Sequence, residues 1–171
     1  MVSAQNKAVV DAIKRSDLNS YKALSDLLDM AKVIADPEGD HDLAYALKLT
    51  NFIKRKIPTL PSSIVLNHLY WQAMKFEAPH RFESFLLYME KNRSPKKRFY
   101  QPRAKTLHVV VEDLQDLEDG LIEFYGLSLP PRVGKSTVCI FFLAWCAGRH
   151  PDLHNAMGGH SGILAKGFYK E

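Results

Sequence analysis

The stretch Gly126-Leu127-Ser128-Leu129-Pro130-Pro131-Arg132-Val133-Gly134-Lys135-Ser136-Thr137 constrains this chain more than any other. The apolar run Leu121 to Leu129 before the turn fits a buried strand. After it, Val138, Ile140, Phe141, Phe142, Leu143, Ala144, Trp145 and Ala147 predict a helix that is apolar almost all round and stops at Gly148. Strand, tight turn and helix in this order are the context of a phosphate-binding loop. There, successive backbone N–H groups converge on phosphate oxygens and the helix N-terminus adds partial positive charge. Gly134 lets the backbone approach the phosphates, Lys135 reaches the β- and γ-phosphates, and the Ser136 hydroxyl suits Mg²⁺. The same residues also allow an ordinary turn with Ser136 as a helix cap. The first glycine of the usual motif, five residues before Gly134, is replaced by Leu129.

Pro-Pro-Arg-x-Gly-Lys-Ser, the aromatic-rich helix and Gly148-Arg149-His150-Pro151 together resemble the ATPase of bacteriophage large terminase subunits, the DNA-packaging motors. That family is similar to this chain in lacking the first loop glycine and in carrying an arginine inside the loop. The resemblance covers about residues 95–171 and implies a fold: an α/β P-loop NTPase with a parallel sheet, here incomplete, behind an all-helical N-terminal region. It also implies ATP and Mg²⁺ as cofactors, held by Pro131, Arg132, Val133, Gly134, Lys135, Ser136 and Thr137. Lys135 and Arg132 are then the catalytic candidates, Arg132 stabilising charge in cis or on a neighbouring subunit, and Ser136 is the metal ligand. The partners implied are double-stranded DNA, the portal protein, the small terminase subunit and further copies of the chain in an assembled motor, in the cytoplasm of a bacterial host.

The segment Lys91 to Arg103 is the second informative stretch. It holds six cations and the pair Phe99-Tyr100, with prolines that keep it extended. One reading is adenine capture: Tyr100, Gln101 and Arg103 resemble the aromatic and glutamine that such ATPases place upstream of the loop. Another is nucleic-acid contact through phosphates and stacked bases. A third is a basic linker. Charge is unevenly spread: residues 1–50 carry net −2, residues 51–110 net +9 and residues 111–171 net −3. A basic middle between acidic ends suits a polyanion contact.

The remaining sequence divides into 1–93, a helical region; 94–120, a basic linker and helix; and 121–171, a truncated ATPase core. Helical spacing recurs at Tyr21, Leu24, Leu27, Leu28, Ala31 and Ile34, then from Asp42 to Lys56, after Ser62 or Ser63, after Pro79, and from Arg103 to Asp119. The carboxylates Glu112, Asp113, Asp116, Glu118 and Asp119 read as a solvated face, although at a helix C-terminus they oppose the dipole. Cys139 and Cys146 read as reduced thiols on one helix face. Residues 154–161 resemble a second strand and its end loop, with His160 and Ser161 toward the ligand side, and 162–170 a short helix.

No apolar run is long enough to span a bilayer and no signal pattern opens the chain, which suits a cytosolic protein. ATP hydrolysis also needs an acidic strand-end residue for Mg²⁺ and a group that orients water. No apolar run ending in Asp-Glu follows Lys135, and no acidic cluster suits the family's nuclease. The expectation is an N-terminal piece of a packaging motor, ATP-binding but barely hydrolytic by itself. The alternative is a non-catalytic module that binds DNA or the packaging complex and carries a vestigial loop.

Overall fold

The computed structural model describes residues 1–154 and 156. The chain forms two compact units, Met1–Glu77 and a second beginning at Ala78. The helix after Pro79 and the basic segment thus belong to the same unit as the Gly-Lys-Ser-Thr loop.

The first unit contains α1 (Ala4–Arg15), α2 (Tyr21–Ala35), α3 (Leu43–Lys56) and α4 (Ile64–Glu77). Side chains at their starts satisfy orphan amides: Ser3, Ser20 and Asp42 accept from Asn6, Ala23 and Tyr45, and Ser63 accepts from Leu66. Asp40-His41-Asp42 is therefore a capping and loop device; Asp40 also accepts a 2.8 Å bond from the Asn6 side chain. The apolar stripe of α2 lies on α3, and α4 closes over both, burying Leu24, Leu27, Leu28, Ile34, Leu49, Ile53 and Leu69. One polar cluster lies among them. Glu77, fully buried at the C-terminal end of α4, receives Thr50 Oγ1 at 2.6 Å and the Lys54 ammonium at 2.5 Å. A carboxylate there faces an unfavourable helix dipole, so the Lys54 charge is its counterweight.

The second unit contains α5 (Phe82–Glu90), α6 (Ala104–Glu118) and α7 (Lys135–Arg149), with short 3₁₀ turns at Pro95–Lys97 and Gln101–Arg103. Each of the three helices packs on the other two. Phe82 sits 5.3 Å from Trp145 and 5.4 Å from Phe142, centroid to centroid. The Trp145 indole donates a 2.8 Å bond to the Ala78 carbonyl. That bond satisfies the polar edge of a side chain buried for its apolar area.

The expected α/β architecture is corrected here. All regular structure among the described residues is helical, and no strand is present among them. Residues 121–129, read as a buried strand, run without regular structure. Leu121 and Phe124 are 72% and 85% exposed, while Tyr125, Leu127 and Leu129 pack against the core of α5, α6 and α7. Alternate side chains at Tyr125, Leu127 and Leu129 do turn inward. A strand, however, is defined by the ladder bonds of a neighbour, and no described segment supplies one. The second strand expected at 154–161, with His160 and Ser161, and the helix expected at 162–170 lie outside the described residues but for His154 and Ala156.

One boundary also shifts. α7 continues through Gly148, and its last amide bond is His150 N–H to Cys146 O. Gly120 does end α6, at φ 72°, where Leu121 N–H bonds Asp116 O. Replacing Lys54 by Met removes the cation that faces the buried Glu77 carboxylate and is expected to cost about 3–5 kcal/mol in urea unfolding. Thr50→Val removes only a neutral partner and is expected to cost about 1–2 kcal/mol; equal costs would contradict this hierarchy.

Candidate functional site

The loop between the extended segment and α7 is sharply turned. Pro131 and Arg132 form a turn, Arg132 has φ 67°, and Gly134 has φ 105° as the N-cap of α7. Left-handed backbone at both positions curls the chain just before the helix starts. No side chain caps α7, so Ser136 does not act as a helix cap. The first amide with a recorded acceptor is Val138, bonded to Gly134 O at 3.0 Å. From Arg132 to Thr137, six consecutive amides have no acceptor among the described residues. Pro131, Arg132, Lys135 and Ser136 are exposed, and Val133, Gly134 and Thr137 are half-buried. This is a loop of unsatisfied donors with two exposed cations at the positive end of a 15-residue helix.

α7 is held in place by burial of Val138, Trp145 and Cys146. Lys135 is close enough to the Cys139 thiol to oppose the upward push that burial gives its pKa. Burial, and next the Glu118 carboxylate 3.2 Å away, push the Cys146 thiol up to about 12. The end of α6 meets the end of α7: Glu118 lies 3.4 Å from the Arg149 guanidinium Nε and 2.8 Å from Nε2 of His150, the residue after the helix. Glu118 is thus an ion-pair partner and only 12% exposed, rather than part of a solvated face.

The residues read for adenine capture separate. Tyr100 is fully buried; its hydroxyl donates to Glu83 Oε1 at 2.6 Å, and burial first, then Glu83, raise its pKa. Its ring offers no face to a ligand in this arrangement. Gln101 accepts from Arg98 Nη1 at 2.6 Å. Arg103 donates to Phe99 O at 3.0 Å, and its guanidinium stands 5.7 Å from the centroid of the Phe99 ring. The aromatic that does reach the loop is Phe99. Its ring stacks on Phe141 at 6.0 Å and occupies the place a Cβ of Gly134 would take. The structure therefore brings Phe99 to the loop, sets Arg103 over the Phe99 ring, and buries Tyr100 against Glu83.

Sequence reasoning passed over two residues here. Phe99 carries the signal it gave to Tyr100, since both belong to one aromatic pair. Glu90 carries none: it is 2% exposed and accepts the amides of Phe99, Tyr100 and Gln101, a local pattern no motif announces.

The loop fits phosphate oxygens, because its amides lack acceptors and Lys135 is exposed. For Mg²⁺ the fit is partial. Ser136 is available, but no group of three or more His, Cys, Asp or Glu able to hold a metal occurs among the described residues. No helix among the described residues is long and apolar enough to cross a membrane. Comparison with protein-family models, with curated proteins and with solved structures gives no match for this chain.

Gly134→Ala forces a side chain into left-handed backbone and into the Phe99 ring, and is expected to destabilise the chain by about 1–3 kcal/mol. A thermal shift of zero would contradict the contact. With its pKa near 12, Cys146 holds roughly one thiolate in ten thousand at pH 8. A thiol-reactive dye is therefore expected to label Cys146 slowly in the folded chain and rapidly in denaturant; fast native labelling would contradict that burial.

Proposed function

We propose that residues Pro131–Thr137 bind the phosphates of a nucleoside triphosphate, and that the chain is the ATP-binding part of a DNA-packaging motor of the terminase large-subunit kind. The observation that carries the first half is the run of six amides without acceptors among the described residues, curled by left-handed backbone at Arg132 and Gly134. Such donors leave the loop under-satisfied unless water or an anion fills it, and an oxyanion with several oxygens satisfies most of them together. Lys135 adds a charge for the β- and γ-phosphates, Ser136 a hydroxyl for Mg²⁺, and Arg132 a second cation for charge developing on the transferred phosphoryl group. The second half rests on the resemblance of the loop and helix sequence. In that setting the partners are double-stranded DNA, the portal protein, the small subunit and other copies of the chain, in a bacterial cytoplasm.

The residues described supply the cradle but neither an acidic Mg²⁺ ligand nor a group to orient water. ATP binding without appreciable hydrolysis is the expected behaviour of this chain. A second reading is favoured by one observation. Arg93, Lys96, Lys97 and Arg103 are exposed on a segment whose backbone is tied down by Glu90, as a polyanion-binding surface would be. In that reading the segment binds DNA or the packaging complex and the loop is vestigial.

Isothermal titration with Mg·ATP separates the two. Lys135→Ala is expected to weaken binding at least about tenfold, equivalent to about 1.4 kcal/mol. Equal affinities of the two chains would overturn the nucleotide reading. Duplex-DNA binding with a steep salt dependence, untouched by Lys135→Ala, would favour the second.

A further inference from the structure

Glu90 is the last residue of α5, where the helix dipole disfavours a carboxylate, and it is almost wholly buried. Three consecutive amides compensate it. Oε1 accepts from Phe99 N and from Tyr100 N at 2.6 Å, and Oε2 accepts from Gln101 N at 3.1 Å. Converging amides of this kind form an anion nest, and here the anion is the protein's own. The clamp acts on the residues that lead to the loop. Phe99, held by its amide, places its ring against Gly134 and Phe141. Arg103, bonded to Phe99 O, places its guanidinium over that same Phe99 ring. Arg93 stands 5.6 Å from the centroid of Phe141.

We propose that Glu90 is a positioning residue for the phosphate loop: by fixing the backbone of Phe99–Gln101 it seats the Phe99 ring on Gly134 and keeps the loop curled for an anion. The inference rests on the nucleotide-binding reading of the loop and extends it to a residue distant in sequence. The ring occupies the Cβ direction of Gly134, which differs from the direction of its N–H. It therefore braces the turn without consuming the donor. A turn braced in advance loses less conformational freedom when an anion enters.

Charge and positioning predict opposite signs, which makes the idea testable. Glu90→Gln keeps the volume, removes a negative charge, and sets an NH₂ group against one of the three donors. Electrostatics alone would then tighten Mg·ATP binding, because the chain becomes more positive. Loss of bracing is expected to weaken it at least about threefold. Phe99→Leu, which changes no charge and leaves Glu90 in place, is expected to weaken it similarly. A ligand-free readout accompanies this. The Phe99 ring current displaces the Gly134 Hα resonances of the isotope-labelled full chain, and in Glu90→Gln these are expected to move toward their positions in Phe99→Leu. Wild-type Gly134 shifts in Glu90→Gln, or Mg·ATP bound as tightly as by wild type, would overturn the proposal. A wild-type chain that binds no Mg·ATP would refute the nucleotide reading instead, and the Gly134 shifts would still decide whether Glu90 seats the ring.

Discussion

The contact of the Phe99 ring with Gly134 is where the two informative stretches of this sequence meet. It joins the basic segment to the loop at the head of α7, and it demands a residue without a side chain at a position that the backbone angle also reserves for glycine. The rest of the second unit supports it. Trp145, buried against Phe82 and bonded to Ala78 O, anchors α7. Glu90 anchors the other side of the contact through three amides. Neither anchor would suffice alone, since the ring and the glycine are supplied by segments 35 residues apart in the chain.

Two nests of amides follow from this arrangement, and they differ in one respect. That at Phe99–Gln101 is filled by the Glu90 carboxylate, within the protein. That at Arg132–Thr137 meets no acceptor among the described residues and is bordered by Arg132 and Lys135. Adjacent donors left unmet by the protein are served by water or a ligand, and the proposed reading gives the second nest an external anion. Its distance from a complete hydrolase is equally physical. On the proposed reading the cradle positions phosphate, whereas turnover also needs an acidic group for the metal and an oriented water.

The helices were legible because their caps and periodicities are local. Asp42 and Ser63 sit at starts that the sequence marks, and the stripes of α2 and α6 recur at three and four residues. The loop was legible because Gly134-Lys135-Ser136-Thr137 is also local. The strand was not, and the reason lies in what a strand is. Tyr125, Leu127 and Leu129 alternate inward as a strand would, yet a sheet depends on a partner from elsewhere, and alternation does not guarantee one. Tyr100 and Phe99 mark the other limit. Adjacent aromatics look alike in sequence, and only packing decides which is buried against Glu83 and which reaches Gly134. Glu118 reads as a solvated charge because its partners, Arg149 and His150, come from beyond the loop, and Glu90 carries no signal because the three amides it accepts belong to no motif.

The central claim is that the amides at the head of α7 are donors awaiting an anion. The most direct measurement is a ¹⁵N-edited NMR titration of the labelled chain with Mg·ATP, following each amide proton from Arg132 to Thr137. The account predicts saturable downfield shifts centred on Gly134, Lys135 and Ser136, as donors gain phosphate oxygens. Shifts confined to Lys91–Arg103, or a loop unmoved at saturating nucleotide, would contradict it.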